Sequence, residues 1–178
     1  LYQPLKASPI RRGTAAIIGS DLPTNEDSDL IHLLKENGIR IHEITSCGSY
    51  AEYQEMAESE FYISYYPAAI PGGEELSRRL GGTHIYLPFS FDYDEIEAGF
   101  NRLAQTMGLP APDFSGRREA CQDALDETLA LVGDTPIAID YTYCPRPLGL
   151  ARWLLHGSLD GLHLCKGHRR CKGSVLDR

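Results

Sequence analysis

Residues 14–108 predict an α/β domain, a parallel sheet flanked by helices. Three observations predict it. Four short apolar runs recur along the stretch, each is followed by a segment with helical apolar spacing, and the residues between them are those that start and stop helices. Strands alternating with helices of this length need crossover connections, which lay successive strands parallel.

Residues 1–12 are polar and Pro-containing and read as an arm. Residues 14–19 (Thr-Ala-Ala-Ile-Ile-Gly) form an apolar run closed by Gly, the pattern of a buried parallel strand. A turn-rich loop over 21–25 leads to Leu30, Ile31, Leu33 and Leu34 at helical spacing, with Gly38 as the stop. Residues 39–44 read as the second strand, and Ser49 with Glu52 makes a capping box for a helix through Ala57. Residues 61–65, rich in aromatic and β-branched types, form the third strand. Pro71 opens a helix through Leu80, where its missing N–H is harmless. Residues 84–87 are the fourth strand. Asp92 and Glu95 cap a helix whose apolar face is Ile96, Phe100, Leu103 and Met107, ended at Gly108 and Pro110.

Beyond this domain (13–108), residues 113–132 read as one long helix with Ala120, Cys121, Ala124, Leu125 and Leu129 facing inward. A strand over 136–140 and a helix over 147–155 then read as the start of a second α/β unit, so 109–178 is expected to hold that helix, a partial second domain and an atypical tail.

Of the 178 residues, 42% are hydrophobic and 24% charged, which suits a packed core rather than a disordered chain. The net charge of -8 gives no support to nucleic acid or an anionic membrane as partner. No run reaches the roughly 20 apolar residues a membrane helix needs. The cysteine number is odd, at 5, and most are widely spaced, so a reduced, cytoplasmic protein is expected.

The two dominant nucleotide signatures, G-x-G-x-x-G after the first strand and G-x-x-x-x-G-K-[ST], are missing. In open α/β sheets ligands sit beyond the carboxyl ends of the strands, which here are 19–21, 45–48, 65–67 and 88–90. Cys47 in such a loop has the chemistry of a ligand or nucleophile, against the plainer reading as a small apolar residue. Gly72 and Gly73 before a helix suit either an anion or close packing. Arg146 follows the strand of the second unit, where it suits an anion or cofactor contact or a plain surface turn. His163, Cys165, His168 and Cys171 carry zinc-ligand chemistry, but their spacing lacks the long gap between ligand pairs of common fingers.

Residues 13–19, the helix ending Leu-Leu-Lys-Glu-Asn-Gly38, the following Ile-Arg-Ile and the loop around Gly48 resemble the middle of nitrogenase component 1 subunits. Residues 75–81, Leu87-Pro88-Phe89 and residues 141–153, with Arg-Pro-Leu-Gly-Leu-Ala-Arg at 146–152, fit the same resemblance, which covers about 13–155. The family includes nitrogenases, their cofactor-assembly scaffolds and tetrapyrrole reductases, with several Rossmann-like domains per subunit. The resemblance implies a central excerpt of such a subunit. It implies an iron–sulfur or other metal cluster in the full-length parent and none in this piece. As partners it implies an ATP-dependent iron–sulfur reductase and a homologous subunit.

Carried over position by position, the resemblance assigns Ser20, Cys47, Tyr65 and Arg146 to the wall of the cofactor or substrate site. It also shows departures. Tyr65 stands where the cofactor-holding nitrogenase subunit has its Cys ligand, and Thr142 to Arg146 replaces a Gly-Gly-Ser-Arg stretch, leaving only the Arg. After Leu155 the chain turns basic where relatives continue with an apolar strand. The expected function is thus that of a nitrogenase-like oxidoreductase subunit, with the piece itself inactive. The alternatives are a cofactor-assembly scaffold of the same family or an unrelated α/β ligand-binding domain.

Overall fold

The computed structural model describes residues 1–132, 135, 138, 139 and 146–156. A first compact unit comprises residues 1–90 and 94–113, and a second comprises 91–93 and the residues from 114 onward.

The first unit is built on four parallel strands, β1 (Arg11–Ile17), β2 (Arg40–Glu43), β3 (Ser59–Ser64) and β4 (Thr83–Tyr86), in the order β2-β1-β3-β4. The helices between and after them are α1 (Asp29–Glu36), α2 (Tyr50–Glu55), α3 (Ile70–Leu80) and α4 (Tyr93–Met107). This is the Rossmann-like α/β arrangement expected. The order reverses direction at β1, so the carboxyl ends of β1 and β3 flank a topological switch point.

The register sorts side chains between two faces. Ala16 lies beside Tyr62, and Tyr62 beside His84, so these share a face. That face buries Ala16, Ile18 and Tyr62 with Met56, Ala57, Leu76 and Leu80. Alternate residues, among them Ala15, Ile17 and Ile63, are equally buried, so strands covered on both sides read as continuous apolar runs.

The stop at Gly38 and the capping box at Ser49 act as read, and Ser28, not singled out in the sequence, caps α1. Ser28 Oγ accepts from Ile31 N–H at 3.4 Å at the start of α1. At its end Gly38 adopts φ +70, and Gly38 and Ile39 donate their N–H groups to the Lys35 and Leu34 carbonyls, a Schellman closure. Ser49 Oγ accepts from Glu52 N–H at 3.2 Å, while the Glu52 carboxylate takes the Gly48 N–H at 2.7 Å. The turn after α2 tightens into a 3-10 helix over Met56–Glu58.

Two expectations need correction. Residues 1–12 do not form a free connecting arm. Arg11 and Arg12 belong to β1, and Leu5 is buried to 2% exposure in the core. The Arg79 guanidinium donates to the carbonyls of Leu5 at 2.6 Å, Tyr2 at 2.8 Å and Gln3 at 3.3 Å, so a cation 74 or more residues away holds the arm. The second correction concerns α5 (Ser115–Val132) in the second unit. It buries no residue; Ala120, Cys121 and Ala124 are exposed and Leu125 and Leu129 only half-buried. Cys121, Leu125, Leu129 and Val132 follow helical spacing, but Arg117, Arg118 and Thr128 fall on the same side of the helix and interrupt the apolar face.

The second unit also holds α6 (Pro147–His156), as expected. In it Trp153 meets Phe91 with ring centroids 6.4 Å apart and Tyr93 edge-on at 6.2 Å, while Arg118 lies 5.3 Å from the Tyr93 ring centre. The strand expected over 136–140 falls largely, and the tail with His163, Cys165, His168 and Cys171 wholly, outside the described residues. No helix of the described residues is long and apolar enough to cross a membrane.

His42 and His84 set an acid limit on the fold. His84 Nε2 lies 2.8 Å from Ser64 Oγ, and α3 packs so closely that a Cβ on Gly73 would collide with the imidazole. Burial lowers the His84 pKa against an opposing pull from Glu74. Burial, then Arg40, lowers that of His42, which Arg11 also depresses and Glu55 and Glu58 oppose. Both rings are therefore more basic in the unfolded chain. Their contribution is complete above about pH 6.5, the unperturbed value, and is lost as pH falls below it toward the lowered folded values. Urea unfolding should show stability falling from pH 7.5 to 5.5, with a shallower fall in the His42→Asn/His84→Asn variant. An equal slope in both proteins would contradict this.

Candidate functional site

Three loops meet at the carboxyl edge of the sheet. The loop after β1 begins Ile18-Gly19-Ser20-Asp21, the turn after β2 contains Thr45, and the turn after β3 leads through Ala69 into α3. They border an open cleft of about 610 Å³ at the β1/β3 switch point, with Gly72 of α3 and Tyr2 of the arm completing the wall. Among the described residues that line it, the only charged side chain is that of Asp21.

Gly19 sets the depth of this cleft. It adopts φ +85, and a Cβ there would overlap the Ala69 methyl, so the loop after β1 can approach α3 only without a side chain. The Gly19 N–H donates to the Tyr2 hydroxyl at 3.1 Å. Burial raises the Tyr2 pKa, and Glu43 and Tyr65 raise it further against the pull of the Gly19 N–H, so the phenol stays protonated. Gly72 has open space around its Cβ position, whereas Gly73, one residue on, packs against His84. The pair thus divides between cleft wall and close packing.

Ser20 lies in the cleft wall at 9% exposure. Its Oγ donates to the Leu22 carbonyl at 2.7 Å and accepts the Leu22 N–H at 3.2 Å, so the side chain shapes its own loop. Tyr65 follows β3, and its hydroxyl lies 3.3 Å from Thr24 Oγ1. Thr24 in turn donates its hydroxyl to Glu43 Oε1 at 2.7 Å and its N–H to both Glu43 oxygens at 3.1 Å. Glu43 ends β2 and is 8% exposed, so this chain of bonds ties the loops after β1, β2 and β3 together beside the cleft.

Cys47 stands apart from this set. Its Sγ donates to the Glu43 carbonyl at 3.3 Å and packs against the Met56 side of the core. Burial pushes its thiol pKa up, and Glu52 and Glu55 push it further, so the thiolate needed for nucleophilic attack or metal ligation is disfavoured. Among the described residues no three His, Cys, Asp or Glu side chains gather to hold a metal. Arg146 belongs to the second unit, is exposed, and offers its carbonyl to the Leu150 N–H at 3.1 Å in the first turn of α6.

Sequence reading missed Tyr2, Thr24 and Glu43. Glu43 carried one signal, an acid inside a run read as a strand. Tyr2 carried none, because its place depends on Arg79 and Gly19. Neither any known family model nor any curated protein matches the chain.

Proposed function

We propose that this chain is the central α/β part of a nitrogenase-like component 1 subunit, one that accepts electrons from an ATP-dependent iron–sulfur reductase to reduce a bound substrate. The cleft at the β1/β3 switch point carries the reading, because it puts an open, mostly apolar wall where the resemblance expects bound substrate. The residues of this chain then bind and orient. Gly19 lets the loop after β1 close against Ala69, Ser20 holds its loop, and the Thr24–Glu43–Tyr65 bonds fix the three loops against one another. Cluster ligands would come from other parts of the longer subunit. Tyr65 in place of the cofactor Cys, with its hydroxyl bonded to Thr24, favours a ligand held without a covalent bond to this domain. A scaffold that holds a cofactor precursor shares that feature and is the second reading.

The test is anaerobic purification of the longer subunit beside a P-loop iron–sulfur reductase. The subunit should carry iron and bind the reductase in the presence of ATP, while residues 1–178 alone lack an iron–sulfur absorbance. A longer subunit that is free of iron and does not bind the reductase would sink the proposal.

A further inference from the structure

We propose that Tyr2 is a ligand-binding residue of the switch-point cleft, whose phenol donates a hydrogen bond to an uncharged ligand bearing a carbonyl-type acceptor. The inference deepens the proposed function and rests on its placing the ligand in this cleft.

The geometry supplies the argument. Tyr2 is held from both sides. Its carbonyl receives Arg79 at 2.8 Å, and its hydroxyl oxygen receives the Gly19 N–H at 3.1 Å. The neighbouring arm is clamped too, since Gln54 donates to the Pro4 carbonyl and accepts from the Lys6 N–H, each at 3.1 Å. The ring is therefore positioned before any ligand arrives. The Gly19 bond occupies the oxygen as acceptor and leaves the hydroxyl proton to be donated. Among the described residues no acceptor takes that proton, and the side chain lines the cleft. A fixed donor on a residue that lines the cleft is matched by an acceptor on the ligand.

The surroundings narrow the ligand further. The wall includes Ile18, Ile44 and Ala69, and its one charged side chain is the acidic Asp21. Glu43 lies close enough to raise the Tyr2 pKa. An anion would meet these carboxylates, and the cation among the described lining residues, the amino group of Leu1, belongs to a residue 79% exposed to screening water, whereas a neutral, largely apolar molecule meets matching walls.

The experiment uses the 178-residue chain and three probes, acetophenone, benzoate and toluene, followed through the backbone amide signals of Gly19 and Ala69. Acetophenone should shift both signals and bind more tightly than benzoate. Tyr2→Phe should weaken acetophenone binding about three- to tenfold, the effect of one hydrogen bond, and leave toluene binding unchanged. Unchanged toluene binding also reports that the variant keeps its cleft. Preference for benzoate, or equal acetophenone binding by wild type and Tyr2→Phe, overturns the role of Tyr2 while leaving the cleft as a site. If no probe moves either amide, the cleft is not a binding site, and this inference fails together with the cleft-based support for the proposed function.

Discussion

Gly19→Ala should destabilise the first unit by about 2–5 kcal/mol, the sum of two separate effects. The left-handed backbone at φ +85 costs an L-residue roughly 1–2 kcal/mol. The new methyl also collides with the Ala69 methyl, and forcing an extra carbon into a packed contact costs about 1–3 kcal/mol. Thermal unfolding should begin at least about 8 °C lower. The two effects are separable, because Ala69→Gly removes the colliding methyl and leaves only the Ala69 Cα, at an ordinary 3.5 Å. Gly19→Ala/Ala69→Gly, compared with Ala69→Gly alone, should therefore show only the backbone part. A double variant no more stable than Gly19→Ala would mean that the close approach at the switch point is not the source of the loss. The cleft should also suffer, since relief of the collision moves the loop after β1 away from α3.

Tyr62→Ala should cost about 3–5 kcal/mol, the range for emptying a buried aromatic site. Tyr62 is fully buried at the centre of β3, next to Ala16 in the sheet and among Met56, Leu76 and Leu80. Its ring also backs onto Gly82, where a Cβ would come within 2.6 Å of it, so little can collapse into the vacated space. Its hydroxyl donates to the Ala57 carbonyl at 3.3 Å, and burial pushes the phenol up to about 12. Tyr62→Phe keeps the ring and gives up only that bond, a loss of about 0.5–1.5 kcal/mol. Chemical denaturation of both variants checks the contrast. Equal losses for Phe and Ala would mean that the hydroxyl, and not the ring, holds β3 to the segment after α2.

The strands and their helices were legible because their signals are local. Buried parallel strands need continuous apolar runs, and residues 14–19 and 61–65 supply them. Ser28, Gly38, Ser49 and Glu52 act on backbone groups within five residues of themselves, so their roles follow from short-range spacing. The arm was not legible. Its composition is that of a linker, and Leu5 is buried only because Arg79 and Gln54, far along the chain, hold its backbone. The site divides in the same way. Of the loops expected from the rule for carboxyl ends of parallel strands, 19–21 and Thr45 line the cleft, Tyr65 lies beside it through Thr24, and 65–67 and 88–90 are not in its wall. The bonds that join Thr24, Glu43 and Tyr65 span 19 and 41 residues and leave no local pattern. Cys47 lies in the expected loop, where burial and then Glu52 and Glu55 raise its thiol pKa, surroundings set by residues that no local pattern shows. In α5 the helical signal was correct, but Arg117, Arg118 and Thr128 share the side of its apolar residues, and the helix buries none of them.

The most direct test of the whole account is an anaerobic single-turnover experiment. The longer subunit proposed to carry this domain is mixed with reduced iron–sulfur reductase, with and without ATP, and oxidation of the reductase is followed by its visible absorbance. The account predicts rapid oxidation only when subunit and ATP are both present. Oxidation at the same rate without the subunit, or without ATP, would contradict it.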